Sequence, residues 1–415
     1  MSSTKQIPID QLKPGMFVVD MDLPWYRTPF LFHKRLIRDN DTIAVMKQHG
    51  IRVVTIDPRK GLDVEAVASS SAEPPSFSER GVGDLVGAEA GTTTSDQTTE
   101  TDALYAEARD AMDRIFADLE RGVPPTPEAT KAIVSQVLAQ VLERRNDLLL
   151  QSAYHRLKHF DRSLADHGLD TAILSLIVAV ESGVDPSLHE YLGIGALLHD
   201  AGYARLPRNL VRKRDECDDS ERRLLQQHAH LGATLLAEQG SLHDEVRRIV
   251  LEHHEHGDGS GFPTGAKGLA ISPLAEIVGI VDLYDKMVSR RGGRPAMLPH
   301  DAVRQLFLVG EQGQYPKALV EAVIRSIGVY PVGSLVRLNT GEQAVVVGVN
   351  PSQRLKPQVK ITGGPHGESY ANPERIDLAQ PAQDRVNRTV MRVLDPIQER
   401  VNVAMYLTDS QDQAA

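Results

Sequence analysis

One cysteine, Cys217, is all that the 415 residues contain, which excludes an intrachain disulfide framework and any zinc site built from several thiolates. Such usage fits a reducing cytoplasm. Long apolar runs are missing too: no stretch reaches the roughly 18 residues that a membrane-spanning helix needs, and the opening MSSTKQIPID has no apolar core of the kind an export signal carries. The expectation is a cytoplasmic protein without a membrane span. Excess positive charge is also absent. A net charge of −10 argues against the broad cationic surface that a long nucleic acid requires, whereas a small anionic ligand is compatible if metal ions or a few arginines reverse the charge locally.

What is present reads as several pieces, since a chain of this length exceeds one ordinary domain. Near the start, GMFVVDMDLPW is apolar and β-branched, and HGIRVVTID reads as the end of a short helix followed by a strand. The segment 69–101 is rich in Ser, Thr, Gly, Pro and acids and holds no sustained apolar period. Beyond it, AIVSQVLAQVLERRNDLLLQ and DTAILSLIVAV repeat apolar residues at helical steps. After GVYPVG the texture changes again: SLVRLNTGEQAVVVGVN places two β-branched runs around Asn339-Thr340-Gly341, a hairpin pattern, with QVKIT as a third strand. The expected fold is α+β multidomain: an N-terminal accessory α/β module at 1–68, a flexible linker at 69–101, an all-α helical bundle at 102–328, and a small β appendage with a frayed tail at 329–415.

Chemistry concentrates in the helical part. HHEHGDGSGFP sets His253, His254 and His256 beside a glycine-rich loop; LADHGLD carries His167, LLHDAGY His199 and Asp200, LLQQHAHLG His228 and His230, and EIVGIVDLYDKM Asp282 and Asp285. A lone histidine is usually a satisfied structural residue, and Asp282 alone reads equally as a cap or an arginine partner. His199 and Asp200 differ, because both close the apolar run YLGIGALLHD, and buried polar groups need partners that a metal can provide. Several His and Asp residues on separate helices are what a metal site inside a bundle needs. Imidazole and carboxylate without thiolate suit iron, manganese or zinc, and a bridging aspartate would support two ions.

The order His, His-Asp, His, His-His-Glu-x-x-Asp-Gly-x-Gly-Phe-Pro, Asp resembles the HD-GYP family, a branch of the HD-domain metal-dependent phosphohydrolases that hydrolyses the bacterial messenger cyclic di-GMP. The likeness covers roughly residues 150–328, and IDQLKPGMFVVDMDLPWYRTPF resembles a small domain often fused ahead of such domains. The resemblance implies an HD-type bundle in which His167, His199, Asp200, His228, His253, His254 and Asp282 ligate metal, with Asp200 as the bridge and His256 matching no ligand position. It implies two divalent ions, iron or manganese, and hydrolysis to pGpG, GMP or both by attack of a bridging hydroxide. In VSRRGGR it makes Arg291 and Arg294 the phosphate clamps; a solvated basic turn is the alternative, because Gly292-Gly293 stand where the family has Pro-Tyr.

Three positions depart from the family pattern. Tyr203 replaces the lysine of His-Asp-x-Gly-Lys, so leaving-group protonation would fall to this phenol, one helical turn beyond His199, or to water. Ser163 stands where trinuclear members have a glutamate, which favours two metals over three. Phe262 replaces a tyrosine. An enzyme is the main expectation, and a catalytically weak cyclic di-GMP receptor that keeps its metal site is the other. Expected partners are cyclic di-GMP, proteins docked on the N-terminal module or on the Gly-Phe-Pro loop, and a second copy of the chain.

Overall fold

A computed structural model describes residues 4–22, 35–37, 40–48, 50–62, 94–123, 125–158, 163–213, 216–238, 242–290, 295–365, 368–380 and 386–408. Contacts divide the chain into two units, 1–91 and 92–415. The first unit holds β1 (Lys5–Pro8), β2 (Phe17–Met21), β3 (Arg35–Leu36), α1 (Asn40–Gln48) and β4 (Val53–Ile56), in a four-stranded antiparallel sheet ordered β1-β4-β2-β3. Inward residues alternate along β4, where Val54 and Ile56 are buried and join Ile7, Val18, Ile43 and Met46 in one core. The strand in GMFVVDMDLPW and the helix-to-strand step in HGIRVVTID are both found here.

The second unit is mostly helical: α2 (Thr94–Glu120), α3 (Pro127–Lys158), α4 (Leu164–Ser182), α5 (Pro186–Leu198), α6 (Arg208–Arg212), α7 (Asp219–Gln226), α8 (His228–Ala237), α9 (Asp244–Glu252), α10 (Pro273–Val288), α11 (Pro299–Glu311) and α12 (Lys317–Ile327). Helix α2 begins at Thr94, inside the segment expected as linker, and packs on α3 and α4. Its first turns are polar in sequence, which hides the helix from a composition reading. The rest of the expected linker, 69–93, lies outside the described residues.

Helix α4 sits at the centre. Every residue from Ala165 to Ala179 is buried, the polar ones such as His167 and Asp170 included, because other helices surround it. Ser163 and Asp166 form a capping box at its start, and Gly183 closes it in the left-handed region at φ 70°. Around it pack α2, α3, α5, α10 and α12, with α9 against α5.

The expected hairpin is β5 (Leu335–Leu338) and β6 (Gln343–Gly348), and the third strand is β7 (Gln358–Gly363). Two further strands, β8 (Ser369–Asp377) and β9 (Val390–Leu394), complete an antiparallel sheet ordered β8-β7-β6-β5-β9. Both are edge strands. One carries Pro373 and the other an exposed Met391, so neither shows a clean buried alternation. The sheet docks on the bundle where Asn146 of α3 exchanges two hydrogen bonds with the backbone of Val349, at 3.3 and 3.2 Å.

Candidate metal centre

The sequence-selected ligands occur mainly at helix ends. His167 lies in the second turn of α4, His199 caps the C-terminal end of α5, and Asp200 opens a 3-10 turn, Ala201–Arg205. His228 is the first residue of α8, His253 caps α9 with His254 following, and Asp282 lies inside α10. Two glycines allow the close packing that joins these ends. A Cβ on Gly202 would lie 1.9 Å from the His228 carbonyl oxygen, and one on Gly279 would lie 2.2 Å from that of His253. The backbone after Asp200 therefore rests on the start of α8, and α10 rests on the end of α9.

These contacts gather Asp200, His228, His253 and His254 into one group and His167, His199 and Asp282 into another, the donor atoms within each lying within 4.8 Å of one another. Asp200 stands between the groups. Its Oδ1 is 3.6 Å from His199 Nε2, 3.5 Å from His228 Nε2 and 3.9 Å from His253 Nε2, while its Oδ2 is 3.7 Å from His167 Nε2. Two donors each about 2.1 Å from one ion stand at most about 4.2 Å apart, so these separations suit shared cations.

The chemistry of the donors supports the same conclusion. His199, His228 and His253 each direct Nδ1 to the carbonyl oxygen three residues earlier, at 2.7, 2.7 and 2.9 Å. A carbonyl can only accept, so Nδ1 carries the proton and Nε2 presents a lone pair to the centre. The Nε2 atoms of His228 and His253 then face each other at 3.3 Å as two acceptors, an arrangement that a cation resolves. His199 Nε2 and Asp200 Oδ1 are buried with no hydrogen-bond partner among the described residues. Buried polar groups left in this way are costly. The residues fit a divalent metal.

Electrostatics show how tightly the groups are coupled. Burial would raise the Asp200 carboxyl, but His199, Lys286, His228 and His167 outweigh it and hold it well below the ordinary range. Asp282 is likewise held well below, against burial, chiefly by Lys286 and His167. Burial pushes the imidazoles of His253 and His254 well down, with neighbouring histidine charges adding to the effect. Neutral histidines and ionised aspartates are the forms that bind metal.

The loop after His254 is held by Glu255, a buried carboxylate that accepts from Thr264 N at 2.6 Å, Thr264 Oγ1 at 2.7 Å and Ala266 N at 3.0 Å. This places the Phe262 ring on His254, centroids 4.5 Å apart, which is the use of the aromatic body kept at that position. His256 turns away, with Nδ1 3.0 Å from Ser260 Oγ. Ser163 serves as the α4 cap, accepting from Asp166 N at 3.1 Å. Tyr203 does not lie one α-helical turn past His199, because α5 ends at Leu198 and the chain tightens into the 3-10 turn where Gly202 meets α8. Its ring stacks on His228 at 4.3 Å and 10° and forms part of the wall of a 470 Å³ cavity shared with Ser163, Asp113, Arg208 and Arg212. Arg291 and Arg294 lie outside the described residues.

Two residues of the site carried no assigned role in the sequence. Asp285 is fully buried, holds His167 Nδ1 at 2.7 Å, and is backed by Arg156 at 3.4 Å. Lys286 donates to Asp282 Oδ2 at 2.6 Å. The available signal was their spacing from Asp282, three and four residues on and hence on its side of a helix.

A helical core closing on such a His and Asp cluster defines the HD domain, and residues 136–317 match the HD domain family. Over these residues the chain contains an HD domain, the fold of metal-dependent phosphohydrolases. It carries a DUF3391 domain, of unknown function, over 4–130, and a KOW domain associated with HD domains over 335–396. The DUF3391 match runs past residue 91 to take in α2, a helix that packs with the bundle. A cyclic di-GMP phosphodiesterase of Pseudomonas aeruginosa is 28% identical over 386 residues, covering 92% of this chain and 91% of that protein. A cyclic di-GMP phosphodiesterase of Vibrio cholerae is 30% identical over 145 residues, and there the match spans 34% of this chain and only 29% of the relative. Among solved structures, an HDG"Y"P protein from Bdellovibrio bacteriovorus aligns with a TM-score of 0.46 at 18% identity, covering 77% of this chain and 98% of that one. Among the described residues no helix is long and apolar enough to cross a membrane.

Proposed function

We propose that this protein hydrolyses cyclic di-GMP to pGpG, GMP or both at a centre of two divalent ions, iron or manganese. His167, His199 and Asp282 would hold one ion, His228, His253 and His254 the other, and Asp200 would bridge them. The observation that carries the reading is the pair of orphaned buried atoms, His199 Nε2 and Asp200 Oδ1, at the point where both groups meet. The likeness to the Pseudomonas relative over nearly the whole length of both chains supports the choice of substrate.

Bound ions would polarise the phosphodiester and activate a water molecule for in-line attack. The chain's own residues do the rest. Backbone carbonyls and Asp285 fix the ring orientation of four histidines. Phe262 and Tyr203 flank His254 and His228 and keep water from those faces. Arg291 and Arg294 would grip the phosphate, a task suited to the planar guanidinium, and the Tyr203 hydroxyl would donate to the leaving oxygen. The N-terminal unit, on this reading, is a regulatory module of a cytoplasmic enzyme.

A receptor that binds cyclic di-GMP without cutting it is favoured by one observation, the Tyr203 ring lying flat on His228 in a position where HD-GYP sequences carry a lysine. Incubation of the metal-loaded protein with cyclic di-GMP, followed by chromatography of the nucleotides, separates the two. The enzyme reading expects pGpG or GMP to accumulate over many turnovers and to stop on chelation. Tight binding with the cyclic form recovered intact supports the receptor.

A further inference from the structure

Lys286 lies between the buried cluster and solvent. Its Nζ bonds Asp282 Oδ2 at 2.6 Å; the carboxylate is 3% exposed and the lysine side chain 26%. Asp282 Oδ1, the other oxygen, faces inward to His167 Nε2 at 2.8 Å and His199 Nε2 at 3.6 Å. The carboxylate is thus divided, one oxygen for the cluster and one for the ammonium. An ammonium has three donors, and Asp282 is the single hydrogen-bond partner of Nζ among the described residues. Two donors therefore remain on a side chain that reaches solvent.

The placement has an electrostatic cost that demands a use. Seven donor groups gathered for divalent cations gain nothing from a fixed positive charge one helical turn away, since like charges repel. A cation kept beside a cation site favours an anionic ligand. We propose that Lys286 contacts the substrate phosphate directly, keeping one hydrogen bond to Asp282 and giving another to a non-bridging phosphoryl oxygen. This rests on the phosphodiester reading above, and it supplies from α10 a positive charge that the turn bearing Tyr203 does not.

The competing role is purely positional, with Lys286 only steadying Asp282, and the two differ in sign. If Lys286 serves the phosphate, K286M relieves repulsion, so metal content stays equal to the parent's or rises. If it only positions Asp282, metal content falls. The test uses full-length, metal-loaded parent, K286M and K286R, titrated with inorganic phosphate and with cyclic di-GMP, with metal analysed on the same samples. K286M should keep its metal and bind phosphate roughly ten-fold or more weakly, the effect of losing one charge-assisted contact, with KM for cyclic di-GMP raised to match. K286R, which keeps the charge, should stay within about three-fold of the parent. Unchanged phosphate affinity in K286M, or metal lost from K286M, overturns the proposal. A parent that binds phosphate through Lys286 yet leaves cyclic di-GMP intact sinks the substrate reading while the contact stands. A parent that cuts cyclic di-GMP at a rate and KM shared by K286M sinks the contact alone.

Discussion

At the scale of single residues, the site is a problem of tautomers. In His167, His199, His228 and His253 the inward Nε2 depends on a proton held at Nδ1, and for His167 the holder is a side chain, Asp285, instead of a backbone carbonyl. That makes His167 the one ring whose orientation a point substitution can alter cleanly. Asp285→Asn keeps the shape but replaces an ionised acceptor with an amide, and outer partners of this kind typically matter about 10–100-fold in metal affinity. Metal titration of the variant should show a loss in that range with the fold intact by circular dichroism. Affinity equal to the parent's would mean that Asp285 serves Arg156 and the packing of α10 alone.

All seven ligand candidates were legible as residues because the histidines and aspartates stand in a characteristic order and spacing, and the structure brings them together. Asp285 and Lys286 were not, since their roles depend on which face of α10 meets α4. Tyr203 was legible as a departure but misplaced in geometry: the sequence suggests a continued helix, and only the contact between Gly202 and the His228 carbonyl shows why the chain winds into a 3-10 turn. Glu255 stands in the motif but carries no role in the sequence reading, because a carboxylate that staples a loop looks in sequence like any surface acid.

At the scale of elements, α10 carries more than Asp282. Glu276, in its first turn, has its carboxyl raised by burial from 4.5 to about 7. A folded-state pKa above the unfolded value means that the protonated form is favoured in the fold. The stability linked to this group is therefore fully present below the unfolded pKa and is lost as pH rises through about 7. Glu276→Gln mimics the protonated form, so it should raise the melting temperature relative to the parent at pH 8 and leave it nearly unchanged at about pH 4, below the unfolded value. A difference of equal size at both values contradicts the assignment. Elements whose apolar period is strong, such as α4, were readable from sequence. The strands β8 and β9 and the first turns of α2 were not, because edge strands and polar helix starts lack the alternation that burial imposes.

At the scale of the molecule, two units with separate cores share one chain, and the cluster belongs wholly to the larger. Metal that binds the folded state stabilises it by mass action, about 2.7 kcal/mol when free metal stands at a hundred times its dissociation constant. Chelation should then lower the melting of the unit at 92–415 by roughly 4 °C for each ion lost and leave that of the N-terminal unit in place, as calorimetry with and without chelator can show. A shift of both transitions together would mean that the units unfold as one.

The central claim is that Asp200 joins two groups of ligands into one hydrolytic centre, and it is tested most directly by measuring metal content and cyclic di-GMP turnover on the same samples of parent and Asp200→Ala. The account predicts two ions per chain and turnover in the parent, and loss of both ions together with all hydrolysis in the variant. Two ions retained by Asp200→Ala, or hydrolysis that persists without them, would contradict it.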